Sequence, residues 1–424
     1  MVASDALPLD QINLIDPRIY VEGPPHDIWK RLRHEAPVFW HKPWLPENED
    51  APGEFRGIVG AWHLTKYADI VQVSRDPQTF MSGRGITAYE PIHPRVSPDQ
   101  ISHSMIDTDP PRHVRLRRLI NKGFTPRQVG LAEPKVRAIV TSLLDEVANR
   151  GRCDFVVDLA AKLPLAVICE MVGVPRQDWQ LMFDLTNRVL GGSDPEYQDG
   201  KSVDDTVNEG RMRMLAYFID LIGKRQGTRG DDLLSVLLDA EIDGEKLSFQ
   251  DILEFCFLLI VAGNETTRNA TSGGLLALCE HPDQRQRLLE HPELLPSAVE
   301  EILRWTSPVM HMSRVATRDT EIRGVPIKAG QRIVMWYPSA NRDEEVFPDG
   351  DRFDIARQPN DHIAFGIGEH FCLGAGYARL ELRVMFEELF RRMPDIELDG
   401  KPERLQSSFI GGIKHMPVRF TARE

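Results

Sequence analysis

Apolar residues recur at three- and four-residue intervals through the middle of the chain, and this spacing predicts helices over about 134–150, 158–172, 176–189 and 203–224. Gly, Asp, Ser and Pro break the pattern at 191–201. A longer run, 247–279, reads as one helix, opened by Ser248 with Asp251 three residues on as a cap. At about 1.5 Å per residue it would extend about 50 Å, across a whole domain. Strand-like segments are brief: 37–40, 56–62, 309–317 and 322–327, with a hairpin expected over 407–418 around Gly411–Gly412. Short helices are expected at 26–36 and 66–74. The stretch 83–103 keeps neither period and is rich in Gly, Pro, His and Ser; a loop of about twenty residues in a compact domain either binds something or is disordered. The whole pattern is that of a mainly helical protein with small sheets at its edge.

Length alone would allow two or three domains in 424 residues. No Gly/Ser-rich linker, low-complexity tract or repeat divides the chain. A single domain over 1–424 is therefore expected, with a β-rich edge at about 37–62 and 309–327, a helical core at about 111–307, and a loop and helix at 365–393. A net charge of −13 argues against a general nucleic-acid binder. The most apolar run, 255–263, is nine residues long, too short to cross a bilayer. No basic stretch followed by an apolar one opens the chain, so a cytoplasmic protein without membrane insertion is expected. Five widely spaced cysteines, an odd number, fit a reducing compartment better than a disulfide framework.

Candidate chemistry concentrates at 365–379, FGIGEHFCLGAGYAR. Cys372 stands among Gly366, Gly368, Gly374 and Gly376, and helical spacing resumes with Leu380, Leu382, Val384, Met385 and Leu389. It therefore sits at the mouth of a helix, where free N–H groups and the dipole favour a thiolate. The glycines let a flat body approach the backbone. A thiolate without a second Cys or His at ligand spacing suits a single axial position better than zinc. Upstream, DTDPPRHVRLRRLINKGFTP at 107–126 offers Asp109 as a helix cap, with His113 and Arg117 four apart on one face. In the middle of the long helix, AGNETT places Gly263, costly there, before Glu265 and Thr266 in an otherwise apolar segment. Glu301 and Arg304 lie one turn apart, and Arg357 follows Phe353 by four.

Phe365, Gly366, Gly368, His370, Cys372, Gly374, Ala378 and Arg379 resemble, position for position, the haem-binding signature of the cytochrome P-450 monooxygenases; Tyr377 stands where leucine is usual. The resemblance implies that family's mainly α, single-domain fold with peripheral β-sheets, and haem b (iron protoporphyrin IX) with Cys372 as the iron ligand. It places Phe365, Gly366, Gly374 and His370 around the cofactor, and His113, Arg117 and Arg314 at the propionates. AGxET resembles the family's oxygen-activation site, with Thr266 and Glu265 managing protons near dioxygen, and Glu301, Arg304 and Arg357 its buried structural network. The helices flanking 191–201 would form a lid, 83–103 a substrate-covering loop, and Phe409 and Ile410 would touch substrate. What this implies is insertion of one atom of O2 into a C–H bond of an apolar small molecule, of the steroid, terpenoid or branched-lipid class. No nicotinamide or flavin fingerprint is present, so electrons would come from a ferredoxin and ferredoxin reductase. Arg112, Arg115, Arg118, Lys122, Arg379 and Arg383 would steer such an acidic partner. Two alternatives are a haem-thiolate peroxygenase or isomerase, against which the Glu265–Thr266 pair speaks, and a non-catalytic haem-binding sensor, against which the lack of a signalling module speaks.

Overall fold

The computed structural model describes residues 8–41, 60–88, 104–225, 227–228, 230–242 and 244–422. The loop expected at 83–103 and the strand at 56–62 lie partly outside them.

The helix Phe249–Glu280 is the axis of the fold. Its cap forms as the sequence requires: the Ser248 hydroxyl accepts from Asp251 N at 3.1 Å, and Asp251 Oδ2 accepts from Ser248 N at 3.3 Å. The helix is buried on nearly every side, which is why its apolar residues run together instead of forming a one-sided stripe. Helices Lys162–Val172, Trp179–Gly191, Val203–Arg225, Leu295–Thr306 and Ala375–Arg392 pack around it. Each fully buried Leu, Ile or Phe in these contacts contributes about 1.5–3 kcal/mol. Two apolar clusters share the helix: Phe255 and Ile260 join Leu185 and Phe218, while Leu275 and Leu278 join Ile302 and Phe386. Residues 262–269 belong to neither. The polar motif sits in the gap between two cores.

Other helices depart from expectation at their ends. The one expected at 134–150 is Pro126–Val147: Thr125 caps it, accepting from Gln128 N at 3.3 Å, and Pro134 lies inside it. Pro134 is tolerated because the carbonyl it frees, that of Gly130, is on an exposed turn and can bond water. The helix expected at 158–172 begins as a π-turn, Val156–Ala160, then continues as Lys162–Val172 to Gly173 at φ 92°. Within the break at 191–201 lies a short helix, Pro195–Gln198. Asp109 does not cap the basic helix Arg112–Ile120; its carboxylate accepts instead from Ser82 N at 2.7 Å and Gly83 N at 2.9 Å.

The main sheet has five strands in the order Val38–His41, Ala61–Leu64, Arg332–Trp336, His311–Ala316, Phe80–Met81. All its pairings are antiparallel except that of Ala61–Leu64 with Arg332–Trp336. Arg332–Trp336, buried throughout, is the central strand and shows no alternation that would announce it. The segment 322–327 is half of a hairpin, Thr320–Ile322 with Val325–Ile327, whose turn residues Arg323 and Gly324 both have positive φ. The hairpin expected at 407–418 is corrected: Ile413–His415 pairs with Glu403–Arg404, Pro417–Arg419 with Glu397–Leu398 and Arg152–Asp154, and Ile410 bridges Val309. Gly412 serves close approach, since a Cβ there would lie 2.7 Å from Asn269 Oδ1. No helix among the described residues is long and apolar enough to cross a membrane.

Candidate active site

Cys372 lies just ahead of the helix Ala375–Arg392, in a loop that turns back on itself. Cys372 N donates to Phe365 O at 2.9 Å and Phe371 N to Gly368 O at 3.1 Å. Gly366 and Gly368 have φ of 70° and 81°, and a Cβ on Gly368 would meet Ser74 O at 2.3 Å. Burial pushes the Cys372 thiol up, while the N–H groups of Gly374 and Ala375 and the guanidinium groups of Arg117 and Arg379 pull it down. The sulfur thus has four features that favour thiolate and one that opposes it. Phe365 is half-buried beside it, with the Arg379 guanidinium 4.6 Å above its ring.

His113, Arg117, Arg314 and His370, drawn from the helix Arg112–Ile120, the strand His311–Ala316 and the cysteine loop, come together next to Cys372. The rings of His113 and His370 stand 4.1 Å apart, and Ser82 Oγ lies 3.1 Å from His370 Nε2. Arg117 donates to Glu369 O at 3.2 Å and Phe371 O at 2.5 Å; Arg314 donates to Ser313 O at 2.7 Å. Burial, aided by the neighbouring cations, brings His113 down to about 4 and His370 to about 2. Burial also lowers Arg117 and Arg314. Among the described residues their hydrogen bonds reach backbone carbonyls and no carboxylate, and His113 Nδ1 is buried without a partner. Asp109, the acid that acts on Arg314 here, spends both oxygens on backbone N–H groups. Buried cations in this state fit a dicarboxylate such as that of a porphyrin.

On the long helix, Ala262 is exposed and Gly263 and Thr266 are partly so, in a segment otherwise buried. The Thr266 hydroxyl donates to Ala262 O at 2.9 Å. Glu265 faces elsewhere: it is buried and ion-paired with Arg268, and Asn269 Nδ2 donates to its Oε1 at 3.3 Å. Burial raises the Glu265 carboxyl, opposed by Arg268 and Asn269. Sequence reading picked out the acid and the hydroxyl but not Arg268, although a cation three residues from an acid on a helix was a usable sign. Nothing in the sequence marked Ser82.

Glu301, Arg304 and Arg357 form the expected network. Arg304 donates to both Glu301 oxygens at 2.7 and 2.8 Å, and Arg357 Nε lies 3.3 Å from the same carboxylate. Asp354 N and Asn360 Nδ2 complete its shell at 2.9 and 3.1 Å. On the face away from the long helix, a concavity of about 760 Å³ reaches Cys372 between Phe124, Val129, Phe371 and Leu380. Arg379 is held there by Glu300 at 2.7 and 2.8 Å and Arg383 by Glu133 at 2.6 Å; Arg112 pairs with Asp251. Arg115, Arg118 and Lys122 are exposed.

Comparison with known proteins agrees with this geometry. Residues 222–394 match the family model for cytochrome P-450. The chain is 44% identical over 397 residues to a methyl-branched lipid omega-hydroxylase of Mycobacterium tuberculosis (strain H37Rv), covering 92% of this chain and 90% of that one. It is 38% identical over 422 residues to a steroid C26-monooxygenase of Rhodococcus jostii, covering 99% and 86%. A solved Mycobacterium marinum cytochrome P-450 in complex with pseudoionone superposes with a TM-score of 0.87 at 36% identity, covering 98% of this chain and all of that one.

Proposed function

The chain belongs to the cytochrome P-450 family and is a haem-dependent monooxygenase, and from that premise we propose that it hydroxylates a branched lipid, terpenoid or steroid with electrons from a ferredoxin and its reductase. The observation that carries this reading is the placing of one sulfur at a helix N-terminus beside two buried or half-buried arginines, Arg117 and Arg314, and two neutral histidines, His113 and His370, none of them bonded to a carboxylate among the described residues. The group that fits is haem b. Cys372 would hold its iron, His113, Arg117, Arg314 and His370 would pair its two carboxylates, and Phe365, Gly366 and Gly374 would lie along it. When bound, the haem supplies dioxygen activation, which an electron-releasing thiolate favours.

The residues of the chain do the rest. Thr266 Oγ1 would turn from Ala262 O to donate a proton on the open side of the helix, and Glu265 would replace it. The names of the relatives, a branched-lipid hydroxylase and a steroid monooxygenase, support an apolar substrate class. The exposed cations Arg115, Arg118 and Lys122 support an acidic electron donor. Residues 1–424 would act as one domain, and five free cysteines support the cytoplasm as its place.

The test is NADPH-dependent turnover with a surrogate ferredoxin and its reductase on a branched-chain lipid or a steroid. The wild type should give hydroxylated product in near-equal amount to NADPH consumed. Thr266→Ala should bind substrate as before while most of the NADPH is lost to peroxide or water, because the hydroxyl acts after binding. Product formed with peroxide alone and none with NADPH would favour a peroxygenase.

A further inference from the structure

The assignment of Glu265 as a proton-bearing group rests on the reading above; its surroundings indicate what controls it. Glu265 is held through one oxygen. Arg268 Nη2 and Asn269 Nδ2 both donate to Oε1, while Oε2 is buried without a partner among the described residues. Arg268 is anchored to the neighbouring helix Trp179–Gly191, its Nη1 donating to Asn187 Oδ1 at 2.8 Å. One turn earlier, Asn264 Nδ2 donates to Thr186 Oγ1 of that helix at 2.9 Å. Arg268 Nε, Asn264 Oδ1 and Asn269 Oδ1 are also buried and unmatched among the described residues. One donor and three acceptors left open within six residues suit ordered water, since leaving each unsatisfied would cost about 1–3 kcal/mol. Half-buried Tyr197 lies within electrostatic reach of both Glu265 and Arg268.

We propose that Arg268 is the positioning residue of proton delivery: it holds Glu265 by Oε1, turned from Thr266, so that Oε2 faces a buried water site bordered by Asn264 and Asn269. Oε2 takes a proton from solvent through that water and passes it back through the water to Thr266 Oγ1, as Oγ1 gives up its own proton on the open side of the helix, and solvent restores the proton the water carried. Asn187 ties the guanidinium to the neighbouring helix and so fixes the carboxyl in this orientation. A purely structural ion pair would affect haem content and stability but leave the coupling of electrons to product unchanged.

The experiment uses the haem-loaded full chain with Arg268→Gln, Arg268→Lys, Asn187→Ala and Glu265→Gln. Arg268→Gln should lower product per NADPH about tenfold, in the range for loss of a positioned proton donor, at an unchanged half-saturating substrate concentration. Arg268→Lys should restore most of it. In the resting protein, with no turnover, Arg268→Gln should show an infrared carboxylic C=O band that is absent from the wild type and from the Arg268→Gln/Glu265→Gln double variant. Asn187→Ala keeps the ion pair and should lower coupling in the same direction by less, so it decides the matter if Arg268→Gln does not fold. Wild-type coupling in Arg268→Gln, or in Asn187→Ala where only that variant folds, overturns the role of Arg268, as does absence of the new band. Wild-type coupling in Glu265→Gln overturns the reading of Glu265 itself.

Discussion

Cys372 is pulled two ways. Burial disfavours its charged form, while two helix-end N–H groups and two arginines favour it. Such a sulfur is poised to be a thiolate once a metal cation adds its own attraction. Cys372→Ser keeps the size of the side chain but offers an oxygen that deprotonates far less readily. The variant should load much less haem, and what it loads should lack the red-shifted ferrous–CO band that a thiolate gives. The check is haem content together with the CO difference spectrum. A variant with full haem and the band intact would remove Cys372 from the site.

At the scale of elements, the basic helix Arg112–Ile120 divides its work by face. His113 and Leu116 are buried, Arg117 reaches the cysteine loop, and Arg115 and Arg118 are exposed, with Lys122 just beyond the helix end. Arg379 and Arg383, which sequence spacing grouped with these cations, are neutralised by Glu300 and Glu133. On the proposed function, attraction of an acidic donor would draw on the exposed face that carries Arg115, Arg118 and Lys122. Reversing one of its charges changes the association rate more than the contacts of the docked pair. Arg115→Glu should slow ferredoxin-supported turnover several-fold at low salt and flatten its salt dependence, with peroxide-supported turnover unchanged. Equal loss in both assays would mean that the haem site had been damaged.

At the scale of the whole molecule, Glu381 is one group that links stability to pH. It lies on the helix Ala375–Arg392, 4% exposed, with Oε2 unpartnered among the described residues, and burial alone raises its carboxyl to about 8. In the unfolded chain it titrates near 4.5. Between these values the folded protein binds the extra proton, so the contribution of Glu381 is complete below about 4.5 and is lost as pH rises through about 8. Glu381→Gln cannot ionise. Its stability relative to the wild type should rise with pH, by on the order of 3 kcal/mol at pH about 9 against little below pH about 4.5. Urea unfolding at the two values measures this. Parallel behaviour of the two proteins would show that Glu381 has an ionic partner.

What the sequence determined by itself was local. Ser248 and Asp251 announced the start of the long helix, Gly374 and Gly376 put Cys372 at a helix mouth, and Glu301 and Arg304 were one turn apart whatever surrounded them. Each of these signals lies within four residues, the reach of a single helical turn. Tertiary structure decided the partners that come from far along the chain. Asp109 was free to cap by its position, yet it anchors Ser82 and Gly83, because those amides arrive from another segment. Ile410 found Val309 in place of a strand in its own hairpin, and Gly412 was needed by Asn269, not by a turn. Glu265 and Thr266 are adjacent in sequence but roughly 100° apart around a helix, so one was buried with Arg268 and the other left on the open side. Adjacency in the chain fixed that they would be close; only packing fixed what each would face.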